Sequence, residues 1–163
     1  MVGAFKAVIT AVGISIAVYL LTQMAFFFPF YMTIVVEAFN LSNIAANDNY
    51  VERIYYEDSL YNLRDRPVFN RTPSSVAIEV LNADGREAVG DDPSAYSGYD
   101  GDTLGDGTYK PYRQRGEPVT VTVSAVYPVA VTLWGNTFTH NVPVSFEITS
   151  VGLRYYKDLE WDY

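Results

Sequence analysis

Residues Ala7–Val36 read AVITAVGISIAVYLLTQMAFFFPFYMTIVV, thirty consecutive positions without a formal charge. A bilayer core about 30 Å thick is crossed by roughly 20 apolar helical residues, so this run is longer than a span needs. At about 1.5 Å per residue it extends to roughly 45 Å, and it must tilt, kink or continue past the bilayer. Pro29 is the expected kink, because proline removes a backbone donor and crowds the preceding turn. Around it cluster Phe26, Phe27, Phe28, Phe30 and Tyr31, either an interfacial belt or packing material between helices. No small-residue cleavage site ends the run, which reads as a retained helix and not a secretory signal.

The rest of the chain contrasts with it. All 19 acidic residues lie from Glu37 onward, and Lys6 is the only charged side chain before that point. A basic residue before the span and an acidic domain after it place the amino terminus inside and the bulk outside. The 163 residues carry a net charge of −8, and no basic stripe interrupts the acidic part. Phosphate backbones would be repelled, so nucleic acid is excluded as a partner. There is no cysteine and a single histidine, His140, which removes disulfide frameworks, thiol chemistry and multi-histidine metal sites.

Inside the apolar run, Gly3, Ala7, Ala11 and Ser15 recur every four residues, and Gly13 and Ala17 form a second pair read as a neighbouring row. Positions four apart stack on one helix face. Small side chains there let another backbone approach closely, which is how helices associate without a hydrophobic driving force. The expected partner is another copy of the same helix.

Residues 37–66 continue as an amphipathic helical extension, with Leu41, Ile44, Val51 and Tyr55 at helical steps and Pro67 as the stop. Asn47, Asp48 and Asn49 prefer caps and turns, so two readings stand: a break there, or one rod of roughly 95 Å. Tyr50, Tyr55, Tyr56 and Tyr61 are expected either to pack on a sheet or to meet a neighbouring subunit.

Residues 67–163 read as a β-rich domain. Ser75–Asn82 is a first strand, and Val119–Ala125 alternates Val with Thr or Ser as a half-buried strand does. Pro128 should interrupt before Val129–Trp134 resumes. Gly135-Asn136 signals a two-residue hairpin turn into Phe138–Asn141 and Val144–Thr149, and Leu153–Tyr156 is a candidate last strand. The fold class is therefore α+β: a long N-terminal hydrophobic helix (1–36), its amphipathic extension (37–66), then an antiparallel sheet of four to five strands. Between the first two strands, residues 82–117 are rich in Gly, Asp and Tyr and read as a solvated loop or a series of turns.

Candidate chemistry is sparse. Asp100, Asp102 and Asp106 lie among glycines as in a calcium loop, with Asp91 and Asp92 available from outside. Leu104 stands where a third ligand belongs and no closing glutamate follows, so calcium competes with a plain acidic surface. His140 has Ser145 and Glu147 near it in sequence, and no residue constellation singles out an enzyme. Asn40-Leu-Ser42 and Asn70-Arg-Thr72 match the glycosylation sequon, with Asn70 the better placed.

Gln23-Met-Ala-Phe-Phe-Phe-Pro29, then Glu37-Ala-Phe, Ala45-Ala46 and the late strands VTVTVSAVYPVAV give a plan that resembles type IV pilins, most of all the minor pilin-like proteins of tight-adherence systems. Gly3-Ala4-Phe5 is the nearest approach to the pilin cleavage site, and the glutamate that pilins carry shortly after it is missing. The resemblance implies a non-enzymatic structural subunit of a surface filament or its membrane platform, with acidic β-domains outermost and no cofactor. The alternative is a bitopic envelope protein whose external β-domain binds a partner.

Overall fold

The computed structural model describes residues 2–99, 101–133 and 135–159. Helix α1 runs from Val2 to Asp48 and passes through Pro29 without interruption. It is followed by the short strand β1 (Val51–Glu52) and helix α2 (Arg53–Asp65). Strands β2 (Ala77–Asn82), β4 (Pro118–Leu133) and β5 (Asn136–Val151) form an antiparallel sheet in the order β2-β4-β5, while β1 pairs in parallel with β3 (Val89–Gly90). The architecture is the α+β arrangement of a long N-terminal helix and an antiparallel sheet, with three strands in the main sheet.

The second half of α1 is the backbone of the core. Phe30, Ile34, Ala38, Leu41 and Ala45 are all buried and follow one another at steps of four or three, which puts them on one face. That face lies on β4 and β5 and meets Val119, Val121, Val123 and Ala125, the inward half of the Val/Thr alternation. Thr120, Thr122 and Ser124 point the other way, and the Thr120 and Thr149 hydroxyls lie 2.9 Å apart across the strand pair. Val144, Phe146 and Ile148 of β5 are half-buried against the same core, as their shared face requires.

Of the two readings of residues 40–49, the helix breaks. It holds through Asp48, and Asn49 takes φ 61°, a left-handed conformation that asparagine tolerates better than most residues. Asn49 is fully buried and joins three parts of the chain. Its side-chain amide donates to the carbonyls of Arg113 (2.8 Å) and Arg154 (2.6 Å), and its Oδ1 accepts from the Arg154 amide at 2.9 Å. Gly152 passes so near that a Cβ there would sit 2.5 Å from the Asn49 side chain. Gly152→Ala is therefore expected to lower the stability of the full chain by about 1–3 kcal/mol, since the neighbour it strikes is fixed by three hydrogen bonds. Thermal unfolding in detergent checks this.

Three strand expectations are corrected. Pro128 does not interrupt: β4 runs on through it to Leu133, pairing Pro128 with Asn141. β2 ends at the Ala77–Ser124 pair, so beyond it β4 is an edge strand, where a proline is tolerated. The hairpin closes on the Leu133–Asn136 pair, which moves the turn one residue earlier than Gly135-Asn136 and uses Gly135 at φ 81°. Leu153–Tyr156 is no strand, because its donors go elsewhere: Leu153 to the Ala46 carbonyl (2.8 Å), Arg154 to Asn49, and Tyr156 to Gln114 Oε1 (3.1 Å).

Two of the four tyrosines of the second segment pack within the chain and two do not. Tyr50 is fully buried and Tyr56 donates to the Ile78 carbonyl at 3.1 Å, whereas Tyr55 and Tyr61 are exposed.

Candidate functional site: the exposed half of the long helix

Gly3–Val18, sixteen helical residues, are exposed without exception, and Tyr19 is the first that is half-buried, its hydroxyl bonded to the Ala130 carbonyl. The window of highest mean hydropathy reaches 2.0, and α1 is the one helix among the described residues long and apolar enough to cross a membrane. Exposed there are Phe5, Val8, Ile9, Val12, Ile14, Ile16 and Val18, with no polar face opposite them. Helices apolar all round belong in a bilayer or among other helices. The hydroxyls in this part are consistent with such surroundings: Thr10, Ser15 and Thr22 each donate to the carbonyl four residues back, at 2.9, 2.9 and 2.8 Å.

Gly3, Ala7, Ala11 and Ser15 lie along one open stripe, and nothing stands within 4 Å of a Cβ built at Gly3 or Gly13. At about 100° per residue, Gly13 and Ala17 fall roughly a third of a turn away. They form a second face and not an adjoining row, which corrects the reading of the sequence. Val12 lies between the two, about 120° from each.

The aromatic cluster around Pro29 splits. Phe26 and Phe28 point outward and are exposed. Phe27 and Phe30 turn onto the hairpin, with ring centres 5.2 and 5.0 Å from Tyr127, and Phe30 also packs on Phe69 at 4.8 Å. Beside them opens a cleft of about 850 Å³ between α1, the hairpin and the Pro67–Phe69 turn, lined by Phe26, Pro29, Tyr127, Pro128 and Ala130 among others, with Asn70 and Arg71 on the turn side. Asn70 is exposed, while the sequon's Thr72 hydroxyl is engaged by the Val126 carbonyl at 2.9 Å.

The other candidates are dispersed. Asp100 lies outside the described residues. Asp102 lends its backbone carbonyl to the Lys110 amide (2.9 Å), and Asp106 Oδ1 accepts from the Thr108 amide at 2.9 Å. Those bonds, with the Thr108 hydroxyl first, hold the Asp106 carboxyl below its ordinary pKa. Among the described residues no three His, Asp or Glu side chains gather where a metal could sit. His140 is exposed and pairs across the hairpin with Val129; strand alternation puts it on the opposite sheet face from Ser145 and Glu147.

The 82–117 segment also departs from a solvated loop. Lys110, Tyr112 and Arg113 are buried. Lys110 Nζ meets Asp158 Oδ2 at 2.7 Å, Tyr112 donates to the same oxygen at 2.8 Å, and the Tyr112 ring stacks on Tyr156 with centres 4.0 Å apart. Burial alone would raise the Asp158 carboxyl, but the bonds from Lys110 and Tyr112 outweigh it and the pKa falls below the ordinary value. A depressed carboxylate stabilises the fold above its unfolded pKa of about 3.9 and loses that contribution as pH drops through the folded value. The melting temperature is accordingly expected to fall as pH is lowered below about 4. Asp158→Asn should flatten part of that fall, as read by thermal unfolding across pH 7 to 2.5.

Compared with known protein families, curated proteins and solved structures, the chain matches none.

Proposed function

We propose that the chain is a non-enzymatic structural subunit that is held in a membrane, and then in a surface filament, by the first half of α1. The observation that carries this reading is the sixteen-residue exposed apolar stretch Gly3–Val18 projecting beyond a folded domain that covers none of it. Water is a poor solvent for such a surface, and the two alternatives are lipid and other helices. The two small-residue faces, about a third of a turn apart, favour helices: each copy can present one face to one neighbour and the second to another. Repeated, such heterologous contacts build an open polymer with the acidic domains outside. The pilin resemblance points the same way.

Negative-stain electron microscopy of material sheared from cells, labelled with antibody to residues 67–163, tests this. Label along filaments supports a structural subunit. Label confined to detergent-extracted membrane, with no filaments, overturns the polymer and leaves a membrane-anchored β-domain that binds a partner.

A further inference from the structure

We propose that the far end of the β4–β5 hairpin, residues 127–133 and 135–142, is a second membrane contact that sits in the outer lipid interface beside α1. This rests on the reading of α1 as membrane-inserted.

The Tyr19 hydroxyl donates to the Ala130 carbonyl at 3.1 Å, and Tyr127 donates to the Gln23 carbonyl at 3.4 Å. These bonds fix the hairpin alongside α1 as far down as Tyr19. The free helix from Gly3 to Val18 then measures only about 24 Å, against a hydrocarbon core of about 30 Å. With Lys6 at the inner face, roughly 20 residues end the span near Phe26. That is seven residues beyond Tyr19, so the hairpin at the level of Ala130 lies about 10 Å inside the outer leaflet.

The hairpin has the composition for that position. No Asp, Glu, Lys or Arg occurs between Glu117 and Glu147, although the chain has 30 such residues in all. The two longest uncharged stretches of the sequence, one helical and one a hairpin, meet where Tyr19 reaches Ala130 and Tyr127 reaches Gln23. The Val/Thr alternation of the near half of β4 gives way to Tyr127-Pro-Val-Ala-Val131, apolar on both faces of the pleat. Across from Val131, Phe138 is 63% exposed. At Ala130 that depth of about 10 Å is one at which interfacial elements lie, where water still reaches the unpaired strand edge.

Charge marks the level of the phosphates. Arg71 lines the cleft between α1 and the hairpin, no acidic residue lines it, and Arg71 has no ion pair among the described residues. A guanidinium beside a cleft of mixed lining, with Phe26, Pro29 and Pro128 alongside Gln23, Thr137 and Thr139, suits a lipid phosphate with its acyl chain below.

The chain has no cysteine, so single cysteines report unambiguously. Phe138→Cys, Ala11→Cys and Thr149→Cys, each in the full chain, would carry an environment-sensitive fluorophore in phosphatidylcholine–phosphatidylglycerol vesicles with spin-labelled lipid as quencher. The expected result is deep quenching at position 11, a blue shift with shallow quenching at 138, and water-like emission at 149. Position 138 as wet as 149, with 11 still quenched, overturns the hairpin contact and leaves the membrane helix standing. No quenching at 11 overturns the membrane reading and this inference with it. A shift at 138 that disappears when the protein is diluted with lipid is burial between copies, and also overturns it.

Discussion

Asn49→Ala is expected to destabilise the folded domain by about 4 kcal/mol, a large share of the 5–15 kcal/mol typical of a whole domain. Two terms add. The substitution strands the buried Arg113 carbonyl, at about 1–3 kcal/mol, and frees the part-buried Arg154 carbonyl and amide, whose loss water partly offsets. It also forces a Cβ with no compensating side-chain bond into φ 61°, at about 1–2 kcal/mol. Asn49→Gly separates the terms: it loses the same bonds but tolerates the dihedral, and should retain about 1 kcal/mol more stability than the alanine variant. Chemical denaturation of both variants in detergent gives the difference. Equal stability would mean that the left-handed turn is unstrained for alanine.

On the proposed filament reading, Ala11→Leu is expected to abolish assembly while leaving membrane insertion intact. Leucine is at least as compatible with lipid as alanine, so the helix still enters the bilayer. Its extra bulk sits midway along Gly3, Ala7, Ala11 and Ser15, where close backbone approach is needed, and overpacking costs about 1–3 kcal/mol at each contact. In a polymer that cost recurs at every subunit. Val12→Leu, exposed and about 120° from either small-residue face, adds similar bulk and should assemble normally. The ratio of sheared to membrane-retained protein reads both variants. Loss of assembly with both would show that bulk anywhere on this helix is excluded, and that no face is special.

The long helix was legible because its signal is redundant: thirty uncharged residues leave few other structures open. The alternation of Val119–Ala125 was legible for a similar reason, since period two with β-branched residues has one common meaning. What ended each element was harder to read. Asn47, Asp48 and Asn49 all favour a break, but choosing Asn49 needs the carbonyls of Arg113 and Arg154, more than sixty residues away in sequence. Pro128 reads as an interruption unless it is known that β2 stops at Ala77 and leaves β4 an edge there. The burial of Lys110 and Arg113 was invisible, since charged residues in a glycine-rich stretch look solvated. Their partners, Asp158 and Asp84, are 48 and 29 residues distant. On the exposed half of α1, the small residues were apparent from spacing alone. Their division into two faces follows from helix geometry once that half is seen to be unbroken and uncovered.

Copies of α1 are proposed to meet along the row through Ala11, and disulfide formation at that position reports such a contact. In a chain without cysteine, Ala11→Cys can be oxidised in intact cell envelopes and in sheared material, with Val12→Cys as the comparison. Rapid cross-linking into dimers at position 11, much slower at position 12, is the predicted result. Equal rates at the two positions, or no cross-link at 11 in material that contains filaments, would contradict it.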